Sequence, residues 1–230
     1  MVHQEAEVRY KTMTFRFIVA HPEDVIQKKL LAGRFFEEDE LALFENFGSG
    51  GTALDIGANV GNHTVFFAAL GGFGRVVPFE PNPTVYTLLQ ANVAANDLSN
   101  VDLGYLGFAL GSQDGQGVLR LDEGNLGATQ VNLVEGGDIQ VRDAGRVLAD
   151  MHDIDLIKID VEGMEIEVLK SIGKLLERER PPIYIEISLT HERAFSQWCA
   201  TSGYRVAQTV SQRKYKRNVM LRHQEDKAPS

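Results

Sequence analysis

The stretch Thr52-Ala-Leu-Asp-Ile-Gly-Ala-Asn-Val-Gly-Asn-His-Thr64 decides the fold. Its first five residues form a short, mainly apolar run that predicts a buried strand. The run ends in a turn of glycine and asparagine, residue types that tolerate a positive φ. An apolar segment at 65–70 then predicts a buried helix. Strand, glycine turn and helix in this order predict the first unit of a βαβ fold, with the turn facing a bound ligand.

Asp55 makes this turn unusual, because it places a negative charge near the end of the strand, where a phosphate-binding turn usually avoids one. The charge therefore indicates a ligand that is positively charged.

Strands and helices alternate along most of the chain, which predicts an α/β fold with a mostly parallel sheet covered on both faces. The predicted strands are 52–56, 75–80, 101–110, 154–160 and 182–187, followed by a closing hairpin at 204–210 and 217–222. The predicted helices between them are 62–71, 83–96, 164–179 and 191–202. A Gly- and Asp-rich segment at 111–147 is interpreted as a β-ribbon and loop inserted into this pattern.

Segments outside the alternation complete the predicted organisation. Residues 1–50, with a strand at 13–19 and helices at 25–31 and 38–47, are predicted to cover the site. Residues 51–223 form the ligand-binding domain and 224–230 a polar tail.

Composition narrows the classes of function. The chain has 230 residues, enough for one three-layer core, and a formal net charge of −9, which argues against nucleic acid as a partner. The basic stretch Arg213–Arg217 is interpreted as an exposed loop or edge strand. A single cysteine, Cys199, and the lack of a signal peptide or membrane-length apolar run predict a cytoplasmic protein without a membrane partner.

Acidic residues end several predicted strands, so their carboxylates are expected to converge on one rim of the sheet. These residues are Asp55, Glu80, Asp160, Glu162 and Glu186. Carboxylates this close require a cation, a ligand rich in hydrogen-bond donors or a raised pKa.

Glu80 lies 25 positions after Asp55, at the end of the second predicted strand. An acidic side chain at this position accepts hydrogen bonds from the two hydroxyls of a ribose. The alternative is a cap for the helix that begins at Pro83.

Two cofactors fit such an architecture. A dinucleotide requires the pattern Gly-x-Gly-x-x-Gly, whereas this turn has Gly57-x-Asn59-x-Gly61 and lacks two of the three glycines. S-adenosylmethionine carries no phosphate but has an ammonium and a sulfonium, and it matches the acidic strand end better.

Several ordered blocks resemble the FkbM family of S-adenosylmethionine-dependent methyltransferases. They are Leu54-Asp-Ile-Gly-Ala-Asn-Val-Gly-Asn-His-Thr64, Phe79-Glu-Pro-Asn-Pro83, Asn92, Asn96, Ala109-Leu-Gly111, Ile157-Lys-Ile-Asp-Val-Glu-Gly-Met-Glu165 and Glu186. The resemblance implies a three-layer class I (Rossmann-like) methyltransferase fold, with a mostly parallel seven-stranded sheet and an antiparallel C-terminal strand. It also implies methyl transfer to a hydroxyl of a small molecule such as a sugar, a glycolipid or a polyketide-like natural product.

The resemblance also implies roles for individual residues. The methionine end of the cofactor would be held by Asp55, Gly57, Asn59 and Gly61. Glu80 would bind the ribose and Ala109 would border the adenine. Asp160 and Glu162 would lie beside the sulfonium and the acceptor.

A base near the acceptor oxygen helps this reaction, because a neutral hydroxyl is a poor nucleophile. Asp160 and Glu162 are the candidates, with Glu186 and His191 behind them; the alternative for Asp160 is an orienting role without proton transfer. No metal is predicted, although Asp160, Glu162 and Glu186 form an alternative Mg²⁺-type set.

Two other side chains are assigned structural roles. Lys158 requires a carboxylate partner if it is buried, and His63 is interpreted as a packed histidine rather than a base. A non-catalytic cofactor-binding protein and a nicotinamide-dependent oxidoreductase remain as alternative functions, and the sequence does not predict the oligomeric state.

Overall fold

The structure, a computed structural model, describes residues 3–122 and 125–225, with side chains described for 3–120 and 130–225. These residues contain twelve strands and eight α-helices. The strands are β1 (Gln4–Tyr10), β2 (Met13–Val19), β3 (Thr52–Ile56), β4 (Arg75–Phe79), β5 (Phe108–Gly111), β6 (Gly115–Asp122), β7 (Asn125–Leu133), β8 (Ile139–Asp143), β9 (Ile154–Ile159), β10 (Ile183–Ser188), β11 (Tyr204–Gln212) and β12 (Lys216–His223). The helices are α1 (Val25–Leu31), α2 (Glu38–Leu41), α3 (Asn62–Leu70), α4 (Pro83–Ala95), α5 (Ala144–Val147), α6 (Glu165–Ser171), α7 (Gly173–Glu179) and α8 (Glu192–Ser202).

The central sheet has the strand order β11-β12-β10-β9-β3-β4. Strands β4, β3, β9 and β10 are parallel, and β12 runs antiparallel between β10 and β11. The predicted α/β fold and closing hairpin are therefore present.

Helices cover both faces of this sheet. Neighbouring residues of each strand point to opposite faces, so each strand contributes to two separate cores. Leu54, Ile157 and Ile185 belong to a core shared with α6, α7 and α8. Ala53 and Leu156 belong to a second core, which contains residues of the N-terminal hairpin, α3 and α4. The layers therefore enclose the parallel strands and leave their carboxyl ends available for a site.

The expected seventh strand of the sheet is reduced, among the described residues, to an isolated bridge between Val76 and Val101. Val76 accepts a hydrogen bond from the amide of Asp102 and donates one to the carbonyl oxygen of Asn100. The next residue of β4 on that side is Pro78, which has no N–H to continue the ladder. The predicted strand at 101–110 is therefore wrong over most of its length, and Leu103–Tyr105 forms a 3₁₀ turn instead.

The end of that predicted strand joins a second sheet instead. After Gly107, which has a φ of +89°, β5 pairs in parallel with β8 in a four-stranded sheet of order β5-β8-β6-β7. The predicted ribbon at 111–147 is thus a sheet that includes the residues just before it.

Two predicted helices are shorter than expected. The predicted helix at 38–47 ends as α2 and continues as a 3₁₀ turn, Ala42–Phe44. The predicted helix at 164–179 is divided into α6 and α7 at Ile172, just before Gly173, a residue that disfavours a helix interior.

The N-terminal segment forms a hairpin, β1 and β2, followed by α1 and α2. Side chains of α4 attach this hairpin to the rest of the fold, since Asn92 accepts a hydrogen bond from the amide of Ile18 at 2.6 Å. From residue 226 onward, the predicted polar tail lies outside the described residues. No helix in the described part of the chain combines the length and apolarity needed to cross a membrane.

Candidate active site

The register of the four parallel strands brings polar residues to one rim. One residue of each strand is level with the others in the pairing, namely Ile56, Phe79, Ile159 and Ile185. The residues that follow them lie side by side at the carboxyl ends of the strands, and they are Gly57, Glu80, Asp160 and Glu186. The predicted convergence of acidic residues is therefore present for Glu80, Asp160 and Glu186.

A cavity of about 270 Å³ opens at this rim. Six of the eight predicted site residues line it, namely Gly57, Asn59, Glu80, Ala109, Asp160 and Glu162. The other two, Asp55 and Gly61, are not among the lining residues.

Glycine at position 57 allows the ends of two strands to touch. Gly57 has a φ of +83°, and a Cβ built on it would lie 1.7 Å from the carbonyl oxygen of Asp160. Gly61 has a φ of +86° and directly precedes α3, where a Cβ would lie 3.0 Å from Cγ of Leu89. Gly57 therefore positions Asp160, whereas Gly61 shapes the turn from outside the cavity.

Asp55, which the family resemblance places at the methionine end of the cofactor, does not line the cavity. It is fully buried, and its carboxylate binds Nζ of Lys158 at 2.9 Å and Oγ1 of Thr64 at 2.6 Å. Burial, the largest single influence, would raise the pKa of Asp55, but Lys158, His63 and the hydrogen bond from Thr64 together lower it. Lys158 also donates to the carbonyl oxygen of Gly57 at 2.8 Å, so Asp55 supports the turn through Lys158.

This ion pair confirms that buried Lys158 has a carboxylate partner. The two residues are level in the pairing of β3 with β9, which the sequence alone did not reveal.

Glu80 is buried and lines the cavity. Its two carboxylate oxygens accept hydrogen bonds from the backbone amides of Asn59 and Asn82, each at 2.9 Å. Burial raises its pKa to about 7, against the effect of these two hydrogen bonds. The helix that begins at Pro83 is capped by Asn82, whose side chain accepts from the amide of Thr84, so Glu80 does not act as that cap.

Asp160, Glu162 and Glu186 each bring one carboxylate oxygen within 4.8 Å of the others. Glu162 and Glu186 both accept a hydrogen bond from Nζ of Lys216 at 2.6 Å. Burial, followed by the charge of Asp160, raises the pKa of Glu162 and brings that of Glu186 to about 8. Oδ1 of Asp160 is buried and has no hydrogen-bond partner among the described residues.

Glu162 lies in the loop between β9 and α6, since α6 begins three residues later at Glu165. Its φ of 52° is left-handed, a conformation that non-glycine residues adopt rarely. Glu162 is therefore not part of the first turn of α6.

The basic stretch Arg213–Arg217 is more than an exposed loop. Arg213 and Lys216 line the cavity, and Arg213 forms an ion pair with Glu37. The sequence contained a signal that these residues lie near the site, because they form the turn of the predicted C-terminal hairpin and such a turn must lie at one end of the sheet. Since β12 is antiparallel to β10, its first residues lie beside the carboxyl end of β10.

Glu37 and His63 complete one wall of the cavity. Burial, followed by the charge of Glu40, raises the pKa of Glu37 to about 7. Burial and Lys158 lower the pKa of His63 to about 3, so its imidazole is neutral at physiological pH. His63 packs edge-on against Phe67, in agreement with its predicted structural role. No pattern in the sequence indicated that Glu37 belongs to the site, because it comes from the N-terminal segment.

A family profile described as the methyltransferase FkbM domain matches residues 55–216, which is most of the chain. The chain belongs to the FkbM methyltransferase family. Its matched region begins at Asp55 and ends at Lys216, so it includes Gly57, Glu80, Asp160 and Glu186, the four residues that lie side by side at the rim.

A curated relative of this FkbM methyltransferase is methyltransferase sdnD from Sordaria araneosa, which is 27% identical over 155 residues. The match covers 53% of this chain and 60% of the relative, so the chain spans about 60% of the length of that protein.

Solved structures with the same fold include the precorrin-6y C5,15-methyltransferase from Geobacter metallireducens, with a TM-score of 0.54 and 16% identity. That match covers 90% of this chain and 94% of the other chain. The methyltransferase FkbM from Methylobacillus flagellatus gives a TM-score of 0.51 at 18% identity, covering 76% of this chain and 44% of that chain. At these identities the likeness concerns the fold, and it supports the class I methyltransferase architecture.

FkbM methyltransferases, the family to which this chain belongs, depend on S-adenosylmethionine. The residues of the cavity fit this cofactor by their chemistry, since the orphaned oxygen of Asp160 and the other carboxylates suit a cationic ligand with several donors. The family assignment argues against the nicotinamide-dependent oxidoreductase.

Proposed function

We propose that the enzyme transfers the methyl group of S-adenosylmethionine to a hydroxyl oxygen of a small, uncharged molecule such as a sugar, a glycolipid or a polyketide-like natural product. The observation that carries this proposal is the buried, unpartnered Oδ1 of Asp160, which lies at the rim where the acid cluster meets the glycine turn. A buried carboxylate oxygen without a donor is costly unless a ligand supplies one.

The proposed donor site uses the glycine turn and Glu80. Each carboxylate oxygen of Glu80 accepts one backbone N–H and retains capacity for a further hydrogen bond. Two ribose hydroxyls would fill that capacity, as the family resemblance implies. Gly57 and Asn59 would border the methionine end and Ala109 the adenine, whereas Asp55 would act indirectly by holding Lys158.

S-adenosylmethionine, when bound, supplies a methyl group activated by its sulfonium. The charges of the cavity suit a cationic donor combined with a neutral acceptor. Three of its carboxylates are already paired with cations, because Glu37 binds Arg213 while Glu162 and Glu186 share Lys216. Asp160 and Glu80 remain as acidic groups facing the cavity, so an acceptor bearing a phosphate or carboxylate would be repelled.

Asp160 is the proposed base and Glu162 its orienting neighbour. A hydroxyl that donates to Oδ1 of Asp160 would lose its proton to that oxygen as its carbon–oxygen bond forms, while the bond between the methyl group and the sulfur would break and leave S-adenosylhomocysteine. Glu162 is less suited to accept the proton, because Lys216 already donates to its carboxylate. General base catalysis of this kind contributes about 10²–10⁴-fold to the rate.

Calorimetry and a methyl-transfer screen test this function. The protein is expected to bind S-adenosylmethionine and its demethylated product but not NAD, and to methylate hydroxyl oxygens of neutral sugars, glycolipids or polyketide-like alcohols. Methylation of nitrogen, or activity restricted to anionic acceptors, would refute the proposed acceptor class.

Asp160→Asn tests the proposed base. Turnover should fall by about 10²–10⁴-fold, while cofactor affinity changes much less, because the amide keeps the shape but not the basicity. Glu167→Gln, which changes an exposed carboxylate of α6, serves as the matched control and should behave as wild type. A loss confined to cofactor affinity would instead make Asp160 an orienting residue.

A further inference from the structure

The ammonium group of Lys216 lies among the acidic side chains of the rim. Its Nζ is 2.6 Å from Oε2 of Glu162 and 2.6 Å from Oε1 of Glu186. Asp160 brings a third carboxylate oxygen, within 4.8 Å of an oxygen of each of the other two. The three carboxylates therefore lie around one common position, and the ammonium group of Lys216 lies next to it.

Without Lys216 this arrangement would be a cluster of hard oxygen ligands of the kind that Mg²⁺ and Mn²⁺ bind. Carboxylates so close together repel one another unless a positive charge relieves them. The ammonium of Lys216 relieves that repulsion for Glu162 and Glu186. It also binds the carboxylate oxygens that a divalent cation would need as ligands.

The position of Lys216 is determined by the sheet. Lys216 is the first residue of β12 and pairs with Ser188, two residues beyond Glu186 on β10. Its neighbour Arg217 binds Glu192 instead, so the two cations are directed to different carboxylates. The Lys216 side chain is only 34% exposed, which makes its exchange with a solvent cation less favourable than for a surface lysine.

We propose that Lys216 is the resident cation of this acid cluster, a positioning residue that takes the place of a divalent metal ion. It holds the side chains of Glu162 and Glu186 in place beside Asp160, so that methyl transfer proceeds without added metal. This catalytic consequence rests on the proposed function, whereas the cation-binding consequence does not.

Manganese binding provides the direct test, with free Mn²⁺ followed by electron paramagnetic resonance in the absence of cofactor and acceptor. Wild type is expected to bind no Mn²⁺ at the rim, and Lys216→Ala is expected to gain one Mn²⁺ site. Adding Glu162→Gln and Glu186→Gln to that variant should abolish the new site. Lys214→Ala, which removes an exposed lysine of the same turn, should behave as wild type.

Kinetics provide the second readout. Wild-type turnover is expected to be unchanged by chelation, whereas Lys216→Ala should lower kcat by about 10–100-fold with little change in KM for the cofactor, less than the loss expected for removing the base itself. Lys216→Arg should recover part of this loss because it restores a cation.

Three outcomes would overturn the proposal: stoichiometric Mn²⁺ binding by wild type at this cluster, loss of wild-type activity on chelation, or no gain of an Mn²⁺ site in a folded Lys216→Ala protein. The wild-type measurements stand even if this variant fails to fold. Because Mn²⁺ binding is measured without substrates, failure of this inference is distinguishable from failure of the proposed methyl transfer.

Discussion

Three non-glycine residues of the cavity wall have a left-handed backbone conformation, as do five others elsewhere in the described part of the chain. Glu37, Asn59 and Glu162 line the cavity and have left-handed φ values of 56°, 51° and 52°. Such a conformation costs about 1–2 kcal/mol for a residue with a Cβ. The surrounding structure must therefore hold the backbone in place at these three positions.

Gly57→Ala should destabilise the fold far more than Gly50→Ala. Both glycines have positive φ, but a Cβ at position 50 would meet no atom within 4 Å, whereas at position 57 it would overlap the carbonyl oxygen of Asp160. Gly50→Ala should therefore cost about 1–2 kcal/mol, and Gly57→Ala about 1–3 kcal/mol more. Urea unfolding measures both; equal losses would show that β3 and β9 do not touch at this point.

Glu80→Ala should weaken S-adenosylmethionine binding by about 1.5–3 kcal/mol, the range for losing hydrogen bonds to a charged group. The change also leaves the amides of Asn59 and Asn82 without their acceptor. Calorimetry with the cofactor gives the affinity directly. An unchanged dissociation constant in a folded variant would remove Glu80 from the proposed ribose site.

At the scale of elements, α4 joins the N-terminal hairpin to the glycine turn. Asn92 is fully buried, donates to the carbonyl oxygen of Val60 at 2.7 Å and accepts from the amide of Ile18 at 2.6 Å. Asn96, one helical turn later, makes similar bonds to the backbone of Arg16 at the surface. One helix face thus attaches the hairpin to the site.

Asn92→Ala is expected to cost more stability than Asn96→Ala. Removing Asn92 leaves backbone groups buried without partners, at about 1–3 kcal/mol each, whereas water can replace Asn96. Urea unfolding compares the two variants, and hydrogen exchange at the Ile18 amide reports whether the hairpin loosens. Equal destabilisation by both changes would contradict the attachment described for Asn92.

The stability of the folded protein depends on pH because several of its buried glutamates ionise. Glu37 and Glu80 have pKa values of about 7 and Glu186 of about 8, chiefly because each is buried. The folded protein therefore holds protons that the unfolded chain has already released, and stability declines as pH rises through these values. The pKa of His63 is lowered from 6.5 to about 3, so this residue makes stability rise with pH instead. Its effect is confined to pH values below its unfolded pKa of 6.5.

The free energy of unfolding should accordingly fall between about pH 7 and 8.5, where the glutamates titrate and His63 does not. Urea titrations at several pH values measure this slope. Glu80→Gln should make it shallower, since one of the titrating groups is removed. A slope of zero or of the opposite sign would contradict the burial of these carboxylates.

Local patterns along the chain were enough to predict the parallel sheet, the glycine turn and most of the rim. Apolar runs and helical segments are local patterns, and the carboxyl ends of parallel strands must share an edge, so Glu80 and Asp160 could be placed together without a structure. The ordered blocks around them also resemble one family, to which the chain belongs.

The pairing of charged side chains, in contrast, became visible only in the folded chain. Asp55 meets Lys158 because their strands are adjacent and level, and Lys216 meets Glu162 and Glu186 because an antiparallel strand returns beside β10. Glu37 arrives from a segment more than a hundred residues before Glu162. Such contacts depend on strand order and register between distant segments, which local patterns along a single chain do not encode.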